Sequence, residues 1–131
     1  MANYTVVNLA EVENQMARQG IDPKDLELRM ARVPLEMEHA GISLVKLGPG
    51  YRNPAAHTHN RQEETYICVA GSARMNVDGE IVEMTPYTAV RVGPDGMRTY
   101  EGGPDGATLI AVGAPNTGPG DGNVTEGWWG E

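Results

Sequence analysis

The sequence predicts an all-β domain: a double-sheet jelly roll of roughly eight short strands with a short N-terminal helix. Three observations carry that expectation. Seventeen Gly and nine Pro against 5% aromatic residues and no Phe point to many short elements joined by turns. Asp78-Gly79, flanked by Arg74–Val77 and Glu80–Met84, is the pair that a type I′ two-residue hairpin requires, since both of its central residues need positive φ. Apolar residues otherwise recur in short runs bounded by Gly and Pro, such as Ile42–Leu47 closed by Gly48-Pro49-Gly50.

Taken in order, Asn8 is an N-cap with Glu11 three residues on as a capping box. Leu9, Val12 and Met16 share one helical face, and Gly20 closes the helix. Asp22-Pro23 with Asp25 opens either a further helical turn or a loop. The Leu26–Val33 pattern is mixed, and Pro34 confines any strand there to an edge or an end. His39, before the Ile42–Leu47 strand, has no neighbouring ligand and reads as a surface or packing residue.

The stretch His57 to Gly71 carries the chemistry. On an extended strand His57 and His59 project from the same side, close enough to chelate one ion. If Asn60 to Glu63 make a hairpin, Glu64 returns its carboxylate to that face. Two imidazoles and one carboxylate suit a divalent transition metal and leave coordination positions open. Spacing to Gly71 favours Glu64 over Glu63, which then faces outward. Glu64, Tyr66 and Cys68 share one face, so an inward Glu64 brings Tyr66 to the cavity, where its hydroxyl either binds a ligand or fills the barrel. Cys68 reads as a small buried residue, with no cation beside it to stabilise a thiolate.

In the Asp78-Gly79 hairpin, Val77 should pair with Glu80, Met75 with Val82 and Ala73 with Met84 on the inward face, and Arg74 with Glu83 on the other. A slip of one residue would bury Arg74 and Glu83 at a prohibitive desolvation cost. Ala89–Val92 is the next strand, Gly93–Gly96 a turn and Arg98–Glu101 a return strand; Gly102–Gly106 is a further turn before the apolar run Thr108–Val112. Beyond Gly113 the chain reads as a linker. Its Gly-x-Gly-x-Gly at 118–122 lacks the helix and Lys of a phosphate loop. Trp128 and Trp129 should dock on the barrel or on a second subunit.

At 131 residues the chain has room for one domain. A net charge of -8 argues against nucleic acid and anionic membranes as partners. One cysteine, no signal-like N-terminus and no apolar run near the ~20 residues of a membrane span suggest a cytoplasmic protein with a small-molecule partner.

From Gly50 onward the sequence resembles the first cupin motif: Gly, His-x-His, four residues, Glu64, six residues, Gly71, with one residue more than usual between Gly50 and His57. The second motif is looser, at Gly79 to Gly103 with Pro94-Asp95-Gly96 in the turn. Thr99 stands where the family has its fourth ligand, a His, Gly103 stands for its Asn, and Pro86-Tyr87-Thr88 replaces its Pro-Gly-Asp. The resemblance covers about residues 40–114 and implies a single cupin domain, with an N-terminal extension over 1–39 and a tail over 115–131. It implies a double-stranded β-helix with one divalent metal (Fe, Mn, Ni, Co or Zn) on His57, His59 and Glu64. The implied activity is that of a mononuclear metalloenzyme, an oxygenase or a metal-assisted isomerase, lyase or cyclase, acting on a small polar metabolite; a non-catalytic binding cupin and a vestigial dimerisation barrel are the alternatives. A homodimer is the expected assembly. Arg98 would clamp a substrate carboxylate if the turn before it differs by one residue from the motif count; otherwise it pairs with Glu64 or faces solvent.

Overall fold

The computed structural model describes residues 3–127 and Trp129. Eight strands form one curled sheet: β1 (Leu26–Met30), β2 (Gly41–Leu47), β3 (Ala55–His59), β4 (Glu63–Val77), β5 (Glu80–Met84), β6 (Ala89–Val92), β7 (Arg98–Ala114) and β8 (Gly122–Glu126). The order β1-β2-β7-β3-β8 runs along one path, while β4 pairs with β5, β6 and β7, all antiparallel. The result is the jelly-roll barrel expected from the sequence.

Two long strands make the frame. β4 and β7 pair from Glu63–Ala114 to Val77–Arg98, with register shifts between Cys68 and Ala70 and between Gly71 and Ala73. Bulges let the ladder bend into a curled sheet without breaking it. Gly71 shows why a glycine is needed there: its φ is +69°, and a Cβ would lie 2.1 Å from the Gly106 carbonyl oxygen. Gly102–Gly106, expected as a turn, is instead the bent middle of β7: pairing with β4 steps from Ala73–Gly102 to Gly71–Ala107, while Gly102 N donates to the Tyr51 carbonyl and the Gly103 carbonyl accepts from Gly50 N.

The Asp78-Gly79 hairpin forms with φ of +52° and +90° at its two central residues. Its register is the expected one, Ala73 to Met84, Arg74 to Glu83, Met75 to Val82 and Val77 to Glu80. Ala73, Met75 and Met84 are buried and join Leu26, Val45, Leu47, Tyr66, Cys68, Tyr100 and Leu109 in the core.

The N-terminal helix is two short 3-10 pieces, Leu9–Glu11 and Gln15–Gln19, capped by Asn8 and Asn14. Gly20 ends the second at φ +72°, as expected, but Asn14 interrupts the single helix with a second cap in an extended conformation. The Asn14 carboxamide also accepts from Leu28 N at 3.0 Å, fastening this extension to β1. His39 is exposed. The tail is no linker: β8 pairs along the whole of β3, from Ala55–Glu126 to His59–Gly122. Trp129 docks on the barrel, donating from Nε1 to the Asn53 carbonyl at 2.8 Å under the Arg52 guanidinium; Trp128 lies outside the described residues.

Candidate metal centre

The short turn between β3 and β4 folds the chain back on itself. His57 and His59, two apart on β3, and Glu64, second on β4, consequently meet on one face. One ligand atom from each lies within 4.8 Å of the others. Glu64 Oε1 is the shared point, 3.2 Å from His57 Nε2 and 3.0 Å from His59 Nε2, and it accepts from the Tyr66 hydroxyl at 2.7 Å. The rings meet edge to face, 5.0 Å apart. Glu63, the neighbour on the strand, is exposed and pairs with Arg91 at 3.2 Å.

Burial raises the Glu64 carboxyl, but contacts with His57, His59 and Tyr66 outweigh it and hold the group well below the usual carboxylate range. The Glu64 contact raises the His59 imidazole above its ordinary value, against burial and the positive charge of Arg98. Burial first, then the Glu64 charge, pushes the Tyr66 phenol far up, so it stays a donor.

Tyr66 is inward, as its alternation with Glu64 and Cys68 predicts, and its hydroxyl also lies 3.4 Å from His57 Nε2. Its ring packs on Tyr100, centroids 6.2 Å apart. Arg98 is fully buried on the same face of β7 as Tyr100, one position earlier than the motif count gives for the missing histidine. It neither pairs with Glu64 nor faces solvent: its guanidinium donates to the carbonyls of Gly93 at 3.0 Å and of Val92 and His57 at 3.4 Å, leaving Nε without a partner. Thr99, the position aligned with the fourth ligand, spends its hydroxyl on Ala55 O at 2.8 Å and Asn53 O at 3.3 Å. Strand alternation sets Arg98 and Thr99 on opposite faces, so the counted position is shifted by one.

Sequence reasoning missed Asp121. Its Oδ2 lies 3.1 Å from His59 Nδ1, on the side of the ring opposite Glu64. The carboxylate also accepts from Arg61 N and Gln62 N, each at 3.1 Å, and the Asp121 carbonyl accepts from Asn60 N at 2.9 Å. Burial raises its carboxyl, and the Gln62 amide and His59 more than offset this. The available signal was Asp121-Gly122 followed by the alternating Val124 and Glu126, a strand start hidden in a Gly-rich tail.

A surface cleft of about 320 Å³ is lined by Gly50, Ser72, Arg74, Glu83 and Glu101 among others and includes none of the three convergent side chains. Beneath Glu64 the barrel is filled by Tyr66, Arg98, Tyr100 and Met75. His57, with 29% of its side chain exposed, is the most open of the three residues.

No protein-family model and no curated protein matches the chain. Solved structures do. A cupin protein from Bacteroides fragilis superimposes with a TM-score of 0.71 at 22% identity, over 94% of this chain and 92% of that one. The chain has the cupin fold. Streptomyces Pac13, described as a nucleoside dehydratase, matches with a TM-score of 0.70 at 16% identity over 96% of this cupin-fold chain and 92% of its own. Oxalate decarboxylase from Bacillus subtilis gives 0.74 at 15% identity, over 94% of this chain and 33% of that protein. Among the described residues, no helix is long and apolar enough to cross a membrane.

Proposed function

We propose that this cupin-fold protein binds one divalent transition metal through His57, His59 and Glu64 and is a mononuclear metalloenzyme acting on a small polar metabolite. The observation that carries the reading is the convergence of two imidazole Nε2 atoms on one carboxylate oxygen. Neutral imidazoles and a carboxylate suit Fe, Mn, Ni, Co or Zn, and three ligands leave open positions. Bound there, the ion would supply Lewis acidity toward an oxygen of the substrate. Structural neighbours that are described as a nucleoside dehydratase and a decarboxylase, one of them carrying uridine, support a small polar substrate.

The chain's own residues have distinct tasks in this reading. Tyr66 keeps its proton and donates it to Glu64, so from its buried position it orients the carboxylate. Arg98 sets a buried positive charge within electrostatic reach of His59 and Tyr66, which favours an anionic or oxygen-rich substrate. With no exposure, it acts through its field and through the His57 carbonyl rather than as a bidentate clamp.

Elemental analysis of the purified protein beside a His57→Ala variant tests the centre. Stoichiometric metal in the wild type and none in the variant is the expected result; a wild type that stays metal-free after reconstitution rejects it. The filled barrel beneath Glu64 favours a second reading, a binding cupin without catalysis. Turnover and oxygen uptake in a metabolite screen separate the two. We further propose a cytoplasmic homodimer spanning a single cupin domain. A buried, unpaired Cys68 suits a reducing compartment, and the exposed side chains of Val6, Val33 and Tyr87 give a second copy apolar surface to cover. Light scattering on an eluting peak checks the dimer.

A further inference from the structure

We propose that Asp121 is the positioning residue of this centre: its carboxylate holds the proton on His59 Nδ1 and so presents Nε2 as the metal donor. The C-terminal tail then becomes part of the site. The inference rests on the metal-binding reading above and assigns a role that the three converging residues do not contain.

The His59 ring has a carboxylate oxygen at each nitrogen. Nε2 points to Glu64 and His57, whereas Nδ1 points to Asp121 Oδ2 at 3.1 Å. A carboxylate only accepts, so without an ion both ring nitrogens face acceptors; once an ion is held on the Nε2 side with Glu64, the one proton left on a neutral ring belongs at Nδ1, where Asp121 accepts it. Such a partner fixes both tautomer and ring orientation and makes the imidazole a better donor. Asp121 can act as a rigid reference because it is itself fixed. Its side chain is 8% exposed, and its carboxylate and carbonyl bind the amides of Asn60, Arg61 and Gln62, three consecutive residues of the β3–β4 turn. β8, which begins one residue later, zips onto β3 and ties the tail to the strand that carries His59. Among the described residues, no such partner stands behind His57, the more exposed of the two imidazoles.

A structural role alone, pinning the tail, makes a different forecast. Asn123 pins the same strand through Asn60 Oδ1 at 2.9 Å without touching His59. Its loss loosens β8 and leaves the imidazole's partner in place.

The test measures Zn²⁺ affinity by chelator competition in the full chain for the wild type, Asp121→Asn, Asn123→Ala and His57→Ala, with ¹⁵N spectra of His59 in the zinc-loaded proteins. The expected result is zinc binding weakened about 10- to 100-fold in Asp121→Asn, unchanged in Asn123→Ala and lost in His57→Ala. A protonated Nδ1 and a metal-shifted Nε2 are expected in the wild type. Equal affinity in Asp121→Asn and wild type, with His57→Ala inactive in binding, overturns the role of Asp121 and leaves the centre standing. So does an equal loss in Asn123→Ala, whereas a zinc-loaded wild type protonated at His59 Nε2 overturns the role of Asp121 and removes His59 Nε2 from the centre. A wild type that takes up no zinc overturns the centre and this role together.

Discussion

Two glutamates in this barrel are equally shielded, each with 15% of its side chain exposed, yet they serve opposite ends. Glu101 sits between the guanidiniums of Arg52 and Arg74, each at 2.6 Å, with Trp129 stacked against Arg52. Glu64 sits among two imidazoles and a phenol. Burial pushes both carboxyls up, and in both the partners win and hold the group down. Guanidinium has no lone pair and keeps its charge at every accessible pH, so Glu101 is pinned for good. Imidazole can give up its proton and offer a lone pair to a cation, so the Glu64 cluster can exchange protons for metal. Equal side-chain exposure with different partners separates a structural fastener from a candidate reactive centre.

Glu64→Ala should break this contrast most strongly. It removes the oxygen on which both imidazoles converge, and metal affinity should fall by more than the about 10- to 100-fold expected of an outer-sphere change. Titration calorimetry with a divalent ion reads this, and retained tight binding would transfer the site elsewhere.

The next largest effect is a pH dependence of opposite sign in the presence and absence of metal. His59 is raised above 6.5, so in chelator-treated protein its contribution is fully present below that pH and is lost as pH rises through the folded value. Glu64 and Glu101 are lowered from 4.5, so their contributions are present above that pH and lost as it falls. Thermal midpoints of the metal-free protein should therefore decline from about 6.5 upward, whereas added metal, which competes with protons for imidazole, should stabilise increasingly over the same range. Metal stabilisation that stays constant from about pH 5 to 8 would contradict imidazole ligation.

Glu101→Gln should cost about 1–2 kcal/mol of stability in urea unfolding, discounted because both arginines are about one-third exposed, and should leave metal uptake untouched. A coupled loss of metal would mean that the two clusters are not independent. The smallest effect is expected of Glu63→Gln. It removes an exposed ion pair with Arg91, worth less than about 1 kcal/mol, and should alter neither stability nor metal content appreciably. A metal-deficient Glu63→Gln protein would exchange the roles of the two adjacent glutamates.

Legibility in the sequence followed the range of the interactions. The Asp78-Gly79 hairpin could be read to the residue because a two-residue turn and period-two alternation fix register locally. His57, His59 and Glu64 could be read because they sit on two strands joined by one short turn. Arg98 and Thr99 were harder: a single residue in the Gly93–Met97 loop decides which of them faces inward, and loop spacing carries no strand period. Asp121 was out of reach, since 62 residues separate it from the histidine it supports.

By itself, the sequence determined what alternation and turn chemistry encode: an all-β barrel, its tightest hairpin and the three side chains able to hold a cation. Tertiary structure alone decided that Gly102–Gly106 continues a strand, that the Gly-rich tail becomes β8, and that Arg98 rather than Thr99 lies beside the cluster. These outcomes depend on partners distant in the chain. Backbone groups of weak intrinsic preference take whatever conformation satisfies their hydrogen bonds, and the curled sheet, once closed, supplies those bonds.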